Sequence, residues 1–83
     1  MSMIFLSFPI QTLARKGLTV LTRAGVSARV GKRPGFLDID GCGVGLWISS
    51  EDGKRAAELL RKNGISYQQS FLVEGSGARE VQL

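Results

Sequence analysis

Residues 3–25, MIFLSFPIQTLARKGLTVLTRAG, decide the fold. The first six residues are strand formers, and they end at Pro9, which suits the first turn of a helix. Beyond it the apolar residues recur at helical spacing and form one stripe: Ile10, Leu13, Ala14, Gly17, Val20, Leu21 and Ala24. Gly25 follows the stripe and is a natural helix stop. The stretch therefore predicts a strand that leads into an amphipathic helix.

The rest of the chain repeats this unit. Apolar residues alternate over 26–30 and again over 44–48, a helical pattern covers 56–60, and a last strand is predicted over 65–74. Residues 23–27, RAGVS, and 62–66, KNGIS, are similar and end the two predicted helices. The order βαββαβ predicts an α+β, ferredoxin-like domain: a four-stranded antiparallel sheet with two helices on one face. We expect residues 1–75 to form this single domain and residues 76–83 to form a flexible C-terminal tail.

Composition excludes several classes of site. The 83 residues include no histidine and one cysteine, Cys42, which excludes a Ser-His-Asp triad, a Cys-His dyad, a His-ligated metal and an internal disulfide. General base chemistry would fall to Asp38, Asp40 or a glutamate, so a carrier or binding protein is favoured over a free-standing enzyme. We predict no cofactor, no metal, no membrane span and a reducing, cytoplasmic location.

Charge is concentrated in the first half of the chain. Residues 1–40 carry six basic and two acidic side chains, whereas residues 41–83 carry five of each. Such a basic half is typical of a protein that meets nucleic acid, an anionic substrate or an acidic partner, and equally of a solvated surface.

Two aromatic residues are predicted on the sheet face away from the helices. Phe5 and Trp47 have the outward parity of the first and third strands, which are neighbours in this fold. An exposed aromatic pair would be an interaction face, for a homodimer or for RNA as in RRM domains. RNA is disfavoured, because Val44 and Leu46 occupy positions where the longer RRM motif has stacking aromatics.

The cysteine is flanked by two glycines. Gly41 and Gly43 leave Cys42 open to another protein's active site, and their N–H groups suit a thiolate or persulfide anion. Lys32 and Arg33 would lower the thiol pKa, whereas Asp38 and Asp40 would raise it. The other interpretation is a small, inert, buried hydrophobe.

The pattern around the cysteine resembles a known family. Phe8-Pro9 entering a helix, Gly25-Val26, Cys42-Gly43-Val44-Gly45-Leu46 and Asn63-Gly64-Ile65 follow the layout of the small bacterial selenium/sulfur carrier-like domains over about residues 3–74. The chain departs at Gly41, where that family usually has serine, and opens the loop with Arg33-Pro34-Gly35 instead of Pro-Arg. The resemblance implies that Cys42 accepts a persulfide or perselenide from a donor enzyme and passes it to an acceptor protein. The alternative is a small interaction or dimerisation module built on the aromatic face.

Overall fold

The computed structural model describes residues 2–37 and 43–83. Within them lie five strands, two α-helices and a 3₁₀ turn at Ser50–Asp52. In chain order the elements are β1 (Ser2–Ser7), α1 (Gln11–Arg23), β2 (Ala28–Lys32), β3 (Val44–Ser49), α2 (Gly53–Lys62), β4 (Gln69–Glu74) and β5 (Gly77–Glu80).

The strands form one sheet in the order β2-β3-β1-β4-β5, and every neighbouring pair is antiparallel. The predicted α+β class, the two helices and the adjacency of β1 and β3 are confirmed. The predicted number of four strands is wrong, because Gly77–Glu80 pairs with β4 through a turn at Gly75, whose φ is +56°. Residues 77–80, GARE, show no alternation of apolar and polar residues, which is why the sequence pattern predicts a tail and not a strand here.

Both helices pack on the same face of the sheet and end in the same way. The N–H of Gly25 donates to the carbonyl of Thr22, and that of Val26 donates to Leu21, with N···O distances of 3.1 and 2.9 Å. Gly64 and Ile65 repeat these two bonds, at the same distances, to Arg61 and Leu60. This is the Schellman arrangement, in which a glycine with positive φ lets the chain leave the helix. The similarity of residues 23–27 and 62–66 therefore reflects two equivalent helix ends.

The main core lies between the helices and the sheet. Its buried members come from β1, β3, both helices and the segments next to them: Ile4, Leu6, Phe8, Ala14, Leu21, Val26, Leu46, Ile48, Ala56, Leu60 and Ile65. The predicted stripe of α1 is correct for Ala14, Gly17 and Leu21, but Ile10 precedes the helix and is 54% exposed. Among the described residues, no helix has both the length and the apolar character that crossing a bilayer requires.

Deletion of residues 76–83 is expected to lower the free energy of unfolding by about 3 kcal/mol. Val81 and Leu83 pack against the main core. Ser70, only 5% exposed, donates its hydroxyl to the carbonyl of Val81, and its backbone carbonyl accepts the Val81 N–H at 2.9 Å. The deletion therefore removes the partners of both Ser70 groups. Urea denaturation measures the loss, with Glu80→Ala, an exposed position on β5, as the control. An unchanged midpoint would instead support an independent domain of residues 1–75.

Candidate functional site

One row of side chains crosses the sheet on the face opposite the helices. The pairing register aligns five residues, one from each strand: Arg29, Trp47, Phe5, Phe71 and Glu80. The row begins with a cation on one edge strand and ends with a carboxylate on the other, and its centre is aromatic. Phe5 and Trp47 thus share this face, with ring centroids 5.0 Å apart.

The centre of this face is a second small core. Phe5, Phe71 and Val73 are buried there, and Leu37, Trp47 and Ala78 pack against them. Phe5 is 0% exposed, so the expectation of an exposed Phe5–Trp47 pair is wrong. The reason is that β5 and the β2–β3 loop both contribute side chains to a face that a four-stranded sheet would leave open.

Trp47 is held on the side towards edge strand β2. Its indole N–H donates to the carbonyl of Lys32 at 3.0 Å, and the guanidinium carbon of Arg29 lies 5.6 Å from its ring centroid. The indole ring lies in this position because residue 31 is glycine: a Cβ there would lie 2.9 Å from Cδ1 of Trp47. Trp47 is therefore fixed beside the start of the loop that leads to Cys42.

The β2–β3 loop is closed at its base by Arg33 and Gly43. The N–H of Arg33 donates to the carbonyl of Gly43 at 2.8 Å and extends the strand pairing by one step. Gly43 has a φ of +77°, a conformation that L residues other than glycine rarely adopt. One of the two glycines singled out beside the cysteine is thus required by the backbone.

The guanidinium of Arg33 fixes the first half of the loop. Its Nη1 donates to the carbonyl of Leu37 and, at 3.3 Å, to that of Pro34, while the N–H of Leu37 donates to Pro34 at 3.0 Å. The side chain of Leu37 packs on the second core. The sequence did not single out Leu37; the signal was its place among the apolar residues of the glycine-rich loop, which also include Phe36 and Ile39.

A depression of about 370 Å³ lies at the base of this loop, lined by Lys32, Arg33, Gly35, Gly43 and Val44. The structure thus brings together three of the predicted site residues, Lys32, Arg33 and Gly43. Among the described residues that line it, Lys32 and Arg33 are cationic and none is a carboxylate, so this part of the lining attracts anions. Gly41 and Cys42, with Asp38 and Asp40, lie outside the described residues; Cys42 directly precedes Gly43 in the chain. Within 2–37 and 43–83, no three metal-ligating side chains lie together.

A family model described as "Putative Se/S carrier protein-like" matches residues 4–72. The chain belongs to this Se/S carrier-like family. The match confirms the resemblance drawn from the residues around Cys42, and it spans β1 through most of β4, including the whole β2–β3 loop. No curated protein and no solved structure is significantly similar to the chain. A carrier-like family implies contact with donor and acceptor proteins in general.

Proposed function

We propose that the chain carries sulfur or selenium as a persulfide or perselenide on Cys42. The observation that carries the proposal is the depression at the loop base, which Lys32 and Arg33 line, together with membership of the Se/S carrier-like family. A persulfide is an anion near neutral pH, and Lys32 and Arg33 supply positive charge where the chain approaches Cys42. The proposal includes a reducing cytoplasmic location, in which a lone thiol stays free.

The transfer step needs one thiolate and a donor that carries a persulfide. The Cys42 thiolate attacks the outer sulfur of the donor's persulfide, a new S–S bond forms on Cys42, the donor's S–S bond breaks, and the donor cysteine leaves as a thiolate. The same exchange in reverse passes the outer sulfur to an acceptor thiol. Since one persulfide is consumed and one is made, no external oxidant or reductant is required.

Arg33 and Gly43 support this chemistry by holding the loop ends. The Arg33–Gly43 backbone bond closes the base of the loop, and the Arg33 bonds to Pro34 and Leu37 order residues 33–37. Ordering the approach to a reacting group in advance lowers the entropy cost of each docking event. The guanidinium therefore both adds charge and fixes backbone at the site.

Incubation with a cysteine desulfurase and cysteine is expected to add the mass of one sulfur atom to the Cys42 peptide. Intact-protein and peptide mass spectrometry measure the adduct, and Cys42→Ser is expected to lose it completely because serine offers no thiolate. Ser66→Cys, which adds a thiol at an exposed position elsewhere, is the matched control when combined with Cys42→Ser. The proposal fails if the wild-type chain stays unmodified under conditions that load a known carrier, or if the displaced cysteine is loaded equally well.

The rival proposal is an interaction or dimerisation module that uses the face of Phe5 and Trp47. Trp47 keeps part of its surface exposed, which favours it, whereas Phe5 offers no surface to a partner or to a stacked base. RNA binding by two adjacent aromatics is correspondingly disfavoured. Light scattering discriminates between the proposals: a monomer with a rapidly titrating thiol supports the carrier, and a dimer with a slow thiol supports the module.

A further inference from the structure

The net positive charge of the chain belongs to its helices. We call α1, the 3₁₀ turn Ser50–Asp52 and α2 together the helix layer. It carries seven basic side chains, three on α1 and four on α2, and three acidic ones, at Glu51, Asp52 and Glu58. All other residues, with Asp38 and Asp40 counted, carry four basic and four acidic side chains. The formal net charge of +4 therefore lies on the helix layer, and the strands and loops are neutral in sum.

The cations of the helix layer lie at the surface. All seven are exposed, and the three on α1 are Arg15, Lys16 and Arg23. Between described residues one ion pair forms here, from Lys62 to Glu58 at 3.5 Å, and both side chains are more than half exposed. Exposed pairs of this kind are weak and are screened by salt. The layer therefore keeps a positive field that attracts an anionic partner.

The uncharged residues of the helix layer favour a phosphate backbone over a protein as that partner. None of them is aromatic, and the large exposed hydrophobic residues of the described part of the chain, Ile10 and Phe36, lie outside the layer. Protein interfaces owe most of their binding energy to a few buried anchors, among which aromatic residues are enriched. The polar residues that α1 exposes beside its cations are Gln11, Thr12, Thr19 and Thr22. Arginine, lysine, threonine and glutamine are common donors to phosphate oxygens in nucleic-acid complexes.

The spacing of the cations fits the backbone of a duplex. Lys16 and Arg23 are seven residues apart on α1, so they lie on the same side of the helix, about 10 Å from each other. The phosphates of one duplex strand follow each other at about 3.4 Å along the axis, so this distance spans about three of them. α2 lies beside α1, because the Arg55 Nη2 donates to the carbonyl of Ala24 at 2.9 Å. The second helix therefore adds its four cations to the same surface.

We infer that the helix layer binds the phosphate backbone of a nucleic-acid duplex without reading its bases. The inference uses residues of α1 and α2 only and is independent of the carrier proposal. A single strand is disfavoured, because binding of single strands relies on bases stacked on aromatic rings, which the layer lacks. Duplex RNA and duplex DNA present the same phosphate charge, so they are separate arms of the test.

Fluorescence anisotropy of the full chain with labelled RNA and DNA duplexes of about 20 base pairs measures this binding. We expect dissociation constants of about 1–100 μM at physiological salt, and a logarithmic salt slope of about −3 to −4 for DNA if about four phosphates are neutralised. The double variant Lys16→Gln with Arg23→Gln is expected to weaken binding at least about tenfold at low salt and to reduce the slope by about two. The control, Arg29→Gln with Arg79→Gln, removes two exposed strand arginines, has the same net charge as the first variant, and is expected to change affinity less than about threefold.

Far-UV circular dichroism first establishes that both double variants fold, and each other outcome then contradicts the inference. A wild-type chain that binds neither duplex at low salt overturns it. An equal loss of affinity in the two double variants assigns binding to net charge and not to the helix layer. A single strand that binds more tightly than its duplex assigns binding to a stacking surface elsewhere. Binding to polyglutamate in place of both duplexes, weakened by Lys16→Gln with Arg23→Gln, assigns the layer to an acidic protein.

The Cys42→Ser chain separates this inference from the carrier proposal. It is expected to bind the duplexes as wild type does, because Cys42 is not part of the helix layer. Duplex binding that requires the thiol would overturn the assignment to α1 and α2. A chain that binds the duplexes and takes up no sulfur would support the inference and contradict the carrier proposal alone.

Discussion

Replacement of Gly45 by alanine is expected to lower the free energy of unfolding by at least about 3 kcal/mol. A Cβ at Gly45 would overlap the carbonyl oxygen of Leu6 and would lie 2.8 Å from Cζ of Phe5. The oxygen belongs to the central strand, so relief requires β1 and β3 to move apart. A chain of this length has a total stability of roughly 4–12 kcal/mol, and a loss of this size removes a large part of it.

Chemical denaturation followed by far-UV circular dichroism measures this effect. Gly35→Ala is the matched control, since a Cβ there meets no atom within 4 Å and we expect a change within about 0.5 kcal/mol. If Gly45→Ala folds with wild-type stability, the close approach of β3 to Leu6 and Phe5 is wrong. If Gly45→Ala is too unstable to purify, the soluble expression levels of the two alanine variants, each expressed separately, give the same comparison.

Replacement of Phe5 by alanine is expected to cost about 3–5 kcal/mol, because it empties the centre of the second core. The ring is 0% exposed, stands 5.0 Å from Trp47 between centroids, and packs with Phe71 and Val73. The expected consequence is a loss of stability and not the loss of a binding surface. Phe5→Leu, which keeps most of the volume, is expected to cost less than about 1.5 kcal/mol.

Thermal and urea unfolding of both variants test this assignment, with Phe36→Ala as the exposed phenylalanine for comparison. We expect Phe36→Ala to unfold within about 0.5 kcal/mol of wild type, since about half of its surface already faces water. A stable Phe5→Ala chain that had lost affinity for RNA or for itself would contradict the burial and restore the aromatic-platform interpretation. The three phenylalanine variants therefore separate a phenylalanine of the second core from an exposed one.

Much of the fold follows from local pattern. The strand run up to Phe8, the helical stripe through Ala14 and Leu21, and the glycine stops at Gly25 and Gly64 are each set by residue spacing and by the φ values that glycine permits. The i, i+4 pair of Glu58 and Lys62 also follows from spacing alone, and its 3.5 Å ion pair lies on an exposed face. The exposed Ile10 departs from the pattern because it precedes the first helical turn.

Less of the candidate site than of the fold can be predicted from residue spacing. Lys32, Arg33 and Gly43 were singled out for charge and backbone freedom, and the structure brings them to one depression. The clamp by which Arg33 binds the carbonyls of Pro34 and Leu37 depends on the path of the loop, which residue spacing does not encode. The role of Cys42 stays a prediction that the loading experiment addresses.

The residue order by itself determined two helices on one face of an antiparallel sheet and a single thiol in a glycine-rich loop, because periodicity and glycine act over a few neighbouring residues. Only the tertiary structure decided that Gly77–Glu80 completes the sheet and that Leu37 and Ala78 pack on the second core. Those contacts join segments far apart in the chain. Whether a side chain meets water or a neighbour depends on which distant segment arrives above it, and a local pattern of alternating residues specifies the face of the strand but not what covers that face.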